Sequence, residues 1–188
     1  MHQSDSSTLG AAWPLPQQDE ILDHLNNIIR PSLRNFTAVD GAFVDTQSAD
    51  TGVKEARQAV MLAARQAAVE LHHFSDFVLN NPAPPVAFPD LGAVRAAVQS
   101  KLIFLREPTA PYVDDVALLR DVADAFKHHK LDRPNATVDG ADAIIMTGTG
   151  WGKLRWDEGK WGGTEQVIVE RKSGDQRALS SVDGDLHK

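Results

Sequence analysis

The sequence contains the run Asp114-Asp-Val-Ala-Leu-Leu-Arg-Asp-Val-Ala-Asp-Ala-Phe-Lys-His-His-Lys-Leu131, which predicts an amphipathic helix. At about 100° per residue, its apolar side chains fall on one side of the helix: Leu119, Val122, Ala123 and Phe126. The other side gathers charged and polar groups, which we name the polar face: Arg120, Asp121, Asp124, Lys127 and His128. No other part of the chain gathers as many chemically capable side chains, so the polar face is the candidate functional site.

Three further helices are predicted before this run. The first covers residues 17–29 and is expected to end at Pro31, whereas residues 32–50 lack a clear period and predict a loop packed by Phe36 and Phe43. The second helix covers residues 52–79 and the third residues 91–104. A second apolar stripe on the long helix, formed by Leu62 and Val69, indicates either a central bundle helix or a dimer interface.

After residue 132 the sequence changes to a β pattern. Residues 143–147 and 166–171 are typical of strands, and a bulged hairpin turn at residues 172–175 leads into a third strand at residues 176–180. Between the first two strands, six glycines and three tryptophans in residues 148–163 indicate short strands with tight turns. The predicted fold class is therefore α+β, a four-helix bundle-like part followed by a small antiparallel β-meander.

The composition of the 188-residue chain fits one soluble domain, with 42% hydrophobic and 24% charged residues. We expect a flexible arm at residues 1–16, a single domain at residues 17–182 and a tail at residues 183–188. Within that domain, residues 17–131 are predicted to be helical and residues 140–182 to be rich in β structure.

The same composition excludes several functional classes. The chain has no cysteine, which excludes disulfides, thiolate zinc sites and cysteine nucleophiles. No apolar run is long enough to span a bilayer, and the N-terminus lacks the pattern of a secretory signal, so we expect a cytoplasmic protein. The formal net charge of −7 argues against a broad electrostatic footprint on nucleic acid. The glycine-rich run at residues 148–152 has neither the lysine of a phosphate loop nor the spacing of a dinucleotide fingerprint, so the sequence identifies no cofactor.

The polar face allows two interpretations. In the first it is catalytic, since Arg120 can bind a phosphate with two hydrogen bonds and His128 can act as a general acid or base near neutral pH. In the second it is a solvated surface, stabilised by pairs four residues apart that Asp124 forms with Arg120 and His128.

The second predicted helix carries matching groups, because His72 and Asp76 are also four residues apart. In an up-down bundle the second and fourth helices run in the same direction, so these groups would lie at the same end as the polar face. One hypothesis is a metal site of two imidazoles and two carboxylates: His72, Asp76, Asp124 and His128. The alternative is a polar cluster between helices in which the groups satisfy one another.

The run Leu119-Arg-Asp-Val-Ala-Asp-Ala-Phe-Lys-His128 resembles the arginine, polar residue and histidine signature of HEPN-type helical domains. These domains are small helical bundles, often dimeric, and many are RNases that cleave RNA without a metal at the dimer interface. The resemblance implies that Arg120 and His128 form the catalytic pair and that Asp121 is the polar residue beside the arginine. Seven residues separate Arg120 from His128, more than is usual in the family, and Asp121 and Asp124 make the site acidic. The resemblance therefore extends equally to family members that have lost catalysis and act as binding modules.

Three functional hypotheses follow. The leading one is a HEPN-like binding or interaction module without catalysis, expected to be a homodimer and to bind RNA or a protein. The second is a metal-independent RNase that uses Arg120 and His128. The third is a metal-binding hydrolase whose ligands are His72, Asp76, Asp124 and His128.

Overall fold

The structure is a computed structural model that describes residues 16–81, 87–101, 114–148 and 165–180. The predicted arm before residue 16, the glycine- and tryptophan-rich segment after residue 148 and the predicted tail lie outside the described residues. The same holds for residues 102–104, the end of the third predicted helix. Among the described helices, none is both long and apolar enough to cross a membrane.

The described chain forms helices first and a small sheet afterwards, which confirms the predicted α+β class. The helical elements are α1 (Pro16–His24), a π-helical turn (Leu25–Ile29), α2 (Arg30–Ala49), α3 (Val53–Asn80), α4 (Leu91–Lys101) and α5 (Asp115–His128). The strands are β1 (Ile144–Gly148), β2 (Glu165–Glu170) and β3 (Gln176–Ala178). They form an antiparallel sheet in the order β1-β2-β3, which is the predicted meander.

The prediction of a loop at residues 32–50 was wrong, because residues 32–49 belong to α2 and Asp50 is its C-cap. Pro31 does not end a helix, since it lies in the first turn of α2 directly after a π turn, and its fixed φ suits this position. Just before it, the N–H of Arg30 donates to the carbonyl of Leu25, five residues back, and this π turn joins α1 to α2 without a break. The two aromatic side chains assigned to the loop, Phe36 and Phe43, are instead part of the buried stripe of α2.

The core is continuous from the helices to the sheet. α3 lies at its centre and packs against α2, α4, α5 and β2. Where α3 faces its neighbours it is mostly alanine, and Ala63, Ala64, Ala67 and Ala68 are fully or almost fully buried. Larger side chains from both parts of the fold fill the remaining space, including Leu118, Val122, Val138, Ile144, Val167, Val169 and Leu179. Burying each of these removes apolar surface from water and contributes about 1.5–3 kcal/mol to folding.

Polar contacts set the position of the sheet on the helices. Arg57 of α3 holds Glu165 at the start of β2 through a two-pronged ion pair, in which its Nε lies 2.8 Å from Glu165 Oε2. A second pair is almost fully buried, with Arg177 of β3 3.1 Å from Asp115 in the first turn of α5. The two ion pairs therefore fix the sheet to the first turns of α3 and α5.

The loop after α5, residues 129–140, folds back on itself. Leu131 N donates to Asp139 O at 2.8 Å, and Ala141 N donates to His129 O at 2.7 Å. At Gly140 the two sides of the loop lie so close together that an added Cβ would be 2.0 Å from His129 O. Only glycine avoids this clash. The closed loop brings Arg133 and Thr137 against α5, and these residues shape the site described next.

Candidate functional site

A group of charged and polar side chains meets where α3, α4 and α5 come together, and we name it the polar cluster. Its members are His72 and Asp76 of α3, Arg95 of α4, Arg120, Asp121, Asp124 and Lys127 of α5, and Arg133 of the loop after α5. The polar face of α5 thus supplies four of the members. Two contacts show that α3 and α5 run in the same direction. His72 lies next to Asp124, and the following residue of α3, His73, contacts Lys127, which lies further along α5.

Asp121 is the buried anchor of the polar cluster, with no exposed surface. Its Oδ1 accepts a hydrogen bond from Arg120 Nε at 2.9 Å and another from Arg133. Its Oδ2 accepts from the backbone N of Thr137 at 2.5 Å and from the Thr137 hydroxyl at 2.9 Å. Both carboxylate oxygens are therefore occupied, and Asp121 ties the loop after α5 to the helix.

Arg133 joins two carboxylates that lie on adjacent turns of α5. One end of its guanidinium group contacts Asp121, and Nη1 lies 2.9 Å from Asp124 Oδ2. This role could not be predicted from the sequence, because Arg133 precedes a proline in a segment without periodicity. Arg133 reaches α5 because the loop is closed. The backbone N of Thr137 donates to Asp121, and Gly140 permits a close approach to the backbone of His129. Arg133 thereby compensates much of the negative charge that the sequence assigned to the polar face.

His72 is buried beside Asp124 and carries no charge at neutral pH. Desolvation by burial lowers the pKa of His72 to about 4, and the attraction of Asp124 only partly opposes this effect. Arg95 and Lys127 lower the pKa further. The imidazole Nε2 lies 3.8 Å from Asp124 Oδ1, which is too far for a hydrogen bond. His72 and Asp124 are therefore neighbours in the cluster and not an ion pair.

Arg95 is the second member of the cluster that the sequence did not predict. It is half-buried on α4, next to the fully packed Val94. Burial is the main cause that lowers its pKa, followed by repulsion from Arg120, while Asp76 and Asp124 raise it. Among the described residues, Arg95 has no carboxylate within ion-pair distance. The sequence shows only an arginine on a short apolar helix. The direction in which the Arg95 side chain points depends on how α4 packs.

His128 lies outside the polar cluster, although the sequence placed it on the polar face. It is exposed at the last residue of α5, and within the described part of the chain its side chain forms no hydrogen bond or ion pair. Arg120 is eight residues away, which corresponds to about 12 Å along the helix axis. The neighbouring Lys127 turns towards α3, where its Nζ lies 2.7 Å from His73 Nε2. The structure therefore does not bring Arg120 and His128 together within one chain.

The four residues predicted to ligate a metal are only partly brought together. His72 and Asp124 are neighbours at 3.8 Å, and Asp76 is close enough to His72 to influence its pKa. His128 contacts none of the three in the described chain. In the residues that the structure describes, no group of three or more histidine, aspartate or glutamate side chains is arranged to hold one metal ion.

The polar cluster has an excess of positive charge. It contains four cationic side chains, those of Arg95, Arg120, Lys127 and Arg133, and three carboxylates, while His72 is neutral. The chain as a whole carries a formal net charge of −7. Guanidinium groups match the oxygens of phosphates and carboxylates with paired hydrogen bonds. The arrangement is therefore chemically suited to bind a small number of anionic groups.

Comparison with protein-family models found no matching family, and comparison with curated proteins and with solved structures found no match.

Proposed function

We propose that this chain is a HEPN-like binding module that binds single-stranded RNA through the polar cluster and does not cleave it. The observation that carries the proposal is the local excess of cations in an otherwise acidic protein: the polar cluster holds Arg95, Arg120, Lys127 and Arg133, and repulsion from Arg120 contributes to the lowered pKa of Arg95. Repulsion between neighbouring cations destabilises the unbound state, and an anionic ligand relieves that repulsion.

Binding is favoured over catalysis because the groups that catalysis would require are occupied or separated. Arg120 donates a hydrogen bond from its Nε to Asp121, and Asp121 also accepts hydrogen bonds from Arg133 and Thr137. His128 is exposed at the far end of α5. A general acid or base must come within about 3 Å of the reacting atom, and Arg120 and His128 do not share such a position in one chain.

RNA is favoured over a protein partner by the chemistry of the cationic side chains and by the resemblance to HEPN-type domains. The net charge of −7 limits the contact to a few phosphates, since a longer track of nucleic acid would be repelled by the rest of the surface. Single-stranded RNA can place one or two phosphates against the cluster without lying along the protein.

Dimerisation belongs to the same proposal. Leu62 of α3 is 67% exposed, although it is a large apolar side chain in the middle of a long helix. It lies on the second apolar stripe of that helix, and a second copy of the chain would cover it. A cytoplasmic location is also part of the proposal, and the absence of cysteine favours it.

The test is fluorescence polarisation with a labelled single-stranded RNA and a variant of the exposed Lys127. Lys127→Gln should weaken binding several-fold, because it removes one cation from the cluster. Lys54→Gln is the matched control, since Lys54 is exposed near the start of α3, about 27 Å along the helix from His72. Equal losses in the two variants would mean that charge alone, and not the cluster, governs binding.

The same samples decide between binding and cleavage. The RNA should remain intact during incubation with the wild-type protein, whether EDTA is present or not. Cleavage that survives EDTA and disappears in His128→Ala would replace the binding module with a metal-independent RNase. Cleavage abolished by EDTA would instead favour a metal-dependent hydrolase. If no RNA binds, the RNA proposal is wrong, and an anionic protein becomes the partner to seek.

A further inference from the structure

We infer that α2 and α3 form a binding groove for a free, medium-chain fatty acid. The carboxylate of the ligand lies at Arg30 and Arg34 of α2, and its hydrocarbon chain lies between α2 and α3. The residues that line this groove are not members of the polar cluster. The inference therefore goes beyond the proposed function, and failure of RNA binding would leave it intact.

The cationic end of the groove is a cavity of about 440 Å³ on α2. Arg30, Arg34 and Thr37 line it, and their spacing of four and three residues places them on one stripe of the helix. Arg30 Nη1 donates to Asn26 Oδ1 at 2.5 Å, which is a bond to a neutral amide. In the described part of the chain, the Arg34 side chain forms no hydrogen bond, and neither arginine forms an ion pair.

This arrangement of charges favours an anionic ligand group. Two like charges four residues apart destabilise a helix, and here no carboxylate of the described chain compensates them. A carboxylate accepts two parallel hydrogen bonds from a guanidinium group, and the hydroxyl of Thr37 can donate another. An anionic head group at Arg30 and Arg34 would therefore replace a repulsion with an attraction.

The apolar end of the groove is a cavity of about 290 Å³ between α2 and α3. The described residues that line it are six apolar residues and one threonine. Phe43 is buried at its base, whereas Ala38, Ala42 and Ala59 are exposed, so the cavity reaches the surface. Mostly apolar walls with a few polar groups at one end are typical of sites for small amphiphilic ligands.

The two cavities adjoin, because Ala38 lines both of them. Arg30, Arg34, Ala38 and Ala42 follow one another at intervals of four residues, about 6 Å along the axis of α2 at each step. The groove thus changes from cationic to apolar along a single row of side chains. A ligand with one charged end and one hydrocarbon chain matches this order.

The size of the apolar cavity favours a free fatty acid over a membrane lipid. At about 30 Å³ for each methylene group, close to the volume of one water molecule in the liquid, the cavity holds roughly ten carbons. That is one medium-length chain, and the two long chains of a membrane lipid would not fit. The formal net charge of −7 also opposes docking of the protein to an anionic membrane surface.

The experiment is calorimetry with sodium octanoate, decanoate and dodecanoate, each kept below the concentration at which it forms micelles. Each methylene group that enters the groove should tighten binding about fourfold. Affinity should therefore rise roughly tenfold from octanoate to decanoate and change little from decanoate to dodecanoate, because the cavity is then full. 1-Octanol should bind about tenfold more weakly than octanoate, since it lacks the charged acceptor.

Variants of Arg34 test the cationic end. Arg34→Gln should remove the preference for octanoate over 1-octanol, and Arg34→Lys should retain part of it. Arg65→Gln is the matched control, because Arg65 is an exposed arginine of α3 that lines neither cavity. It should leave the preference unchanged, and an equal loss in Arg65→Gln would contradict the placement of the carboxylate.

Variants of the exposed alanines test the apolar end. Ala42→Leu and Ala59→Leu each fill space equal to about three methylene groups, so each should weaken decanoate binding by more than about tenfold. Ala96→Leu is the matched control, because Ala96 is exposed on α4 and lines neither cavity. Leucine suits a helix almost as well as alanine, so these variants should fold, and thermal melting without ligand checks this.

Several outcomes would overturn the inference. It is wrong if none of the three fatty acids binds, or if decanoate binds equally well to Ala42→Leu, Ala59→Leu and wild type. Equal affinity for octanoate and 1-octanol would exclude an anionic ligand. Binding to phosphatidylglycerol vesicles without binding of any free fatty acid would make a membrane surface the occupant. A dimer that dissociates in Ala42→Leu would instead show that a second copy of the chain covers the groove.

Discussion

Replacing Asp121 by asparagine tests whether this buried carboxylate anchors the site. Asp121 is completely buried, and its two oxygens accept hydrogen bonds from Arg120, Arg133 and Thr137. Asparagine keeps the shape of the side chain but replaces one acceptor oxygen with an NH2 donor. That donor would face either the arginines or the Thr137 N–H, so at least one pair of donors would oppose each other.

The structure permits an estimate of the cost. Removing one partner of a buried ion pair leaves the other charge without compensation and costs about 3–5 kcal/mol. We take this range for Asp121→Asn, because Asp121 is completely buried and its carboxylate accepts hydrogen bonds from two arginines and from Thr137. For a domain of this size, each kcal/mol shifts the melting temperature by about 2–4 °C, so the expected decrease is roughly 6–20 °C.

Asp124→Asn is the matched control on the same helix. The Asp124 side chain is 20% exposed and keeps a 2.9 Å contact to Arg133, which itself retains Asp121. Its loss should cost less than about 1.5 kcal/mol, as for a partly solvated charged hydrogen bond. The assay is urea unfolding followed by circular dichroism, with equal slopes required before the free energies are compared. The reasoning is refuted if Asp121→Asn lies within about 0.5 kcal/mol of wild type, or if the two variants cost the same.

Three more predictions follow from the geometry. Burial lowers the pKa of His72 from an ordinary value of 6.5 to about 4. Between these two pH values the unfolded chain binds a proton at His72 that the folded chain does not bind. The free energy of unfolding should therefore decrease as the pH falls through this window. Urea titrations should show that His72→Gln loses less stability than wild type between about pH 7 and pH 4.5, and parallel losses would contradict the assignment. The logarithm of RNA affinity should fall with the logarithm of salt concentration with a slope between about −0.7 and −1.5, as for one or two phosphates, and a slope steeper than about −4 would indicate a broad footprint instead. Light scattering should show a dimer for wild type and a monomer for Leu62→Glu with an unchanged circular dichroism spectrum, whereas a monomeric wild type would remove the dimer from the proposal.

Local patterns in the sequence were sufficient where a helix or strand is defined by its own residues. The predicted ends of the long helix and of the helix that carries the polar face lie within two residues of the ends of α3 and α5. The spacing of apolar residues indicates a helix whatever the helix packs against. The strands were placed with similar accuracy. The failure at residues 32–50 had a local cause, because a proline was taken as the end of a helix when it begins one. Leu33, Phe36 and Phe43 carried the helical spacing that was overlooked.

The sequence by itself determined which residues of α5 share a face, because that depends only on helical geometry. It also determined that α3 presents His72 and Asp76 one turn apart. The sequence did not determine which side chains these residues of α3 and α5 contact. Arg95 and Arg133 reach the cluster from α4 and from a loop, and their places depend on how separate elements pack.

Tertiary structure therefore decided the chemistry of the site. It compensated the acidic side chains of α5 with Arg133, buried His72 in its neutral form and left His128 outside. The physical reason is that charge compensation and desolvation depend on distances between residues far apart in the chain, which no local period encodes. Once the helices and the loop are packed, the acidic side chains of α5 therefore belong to a cluster with four cations and three carboxylates.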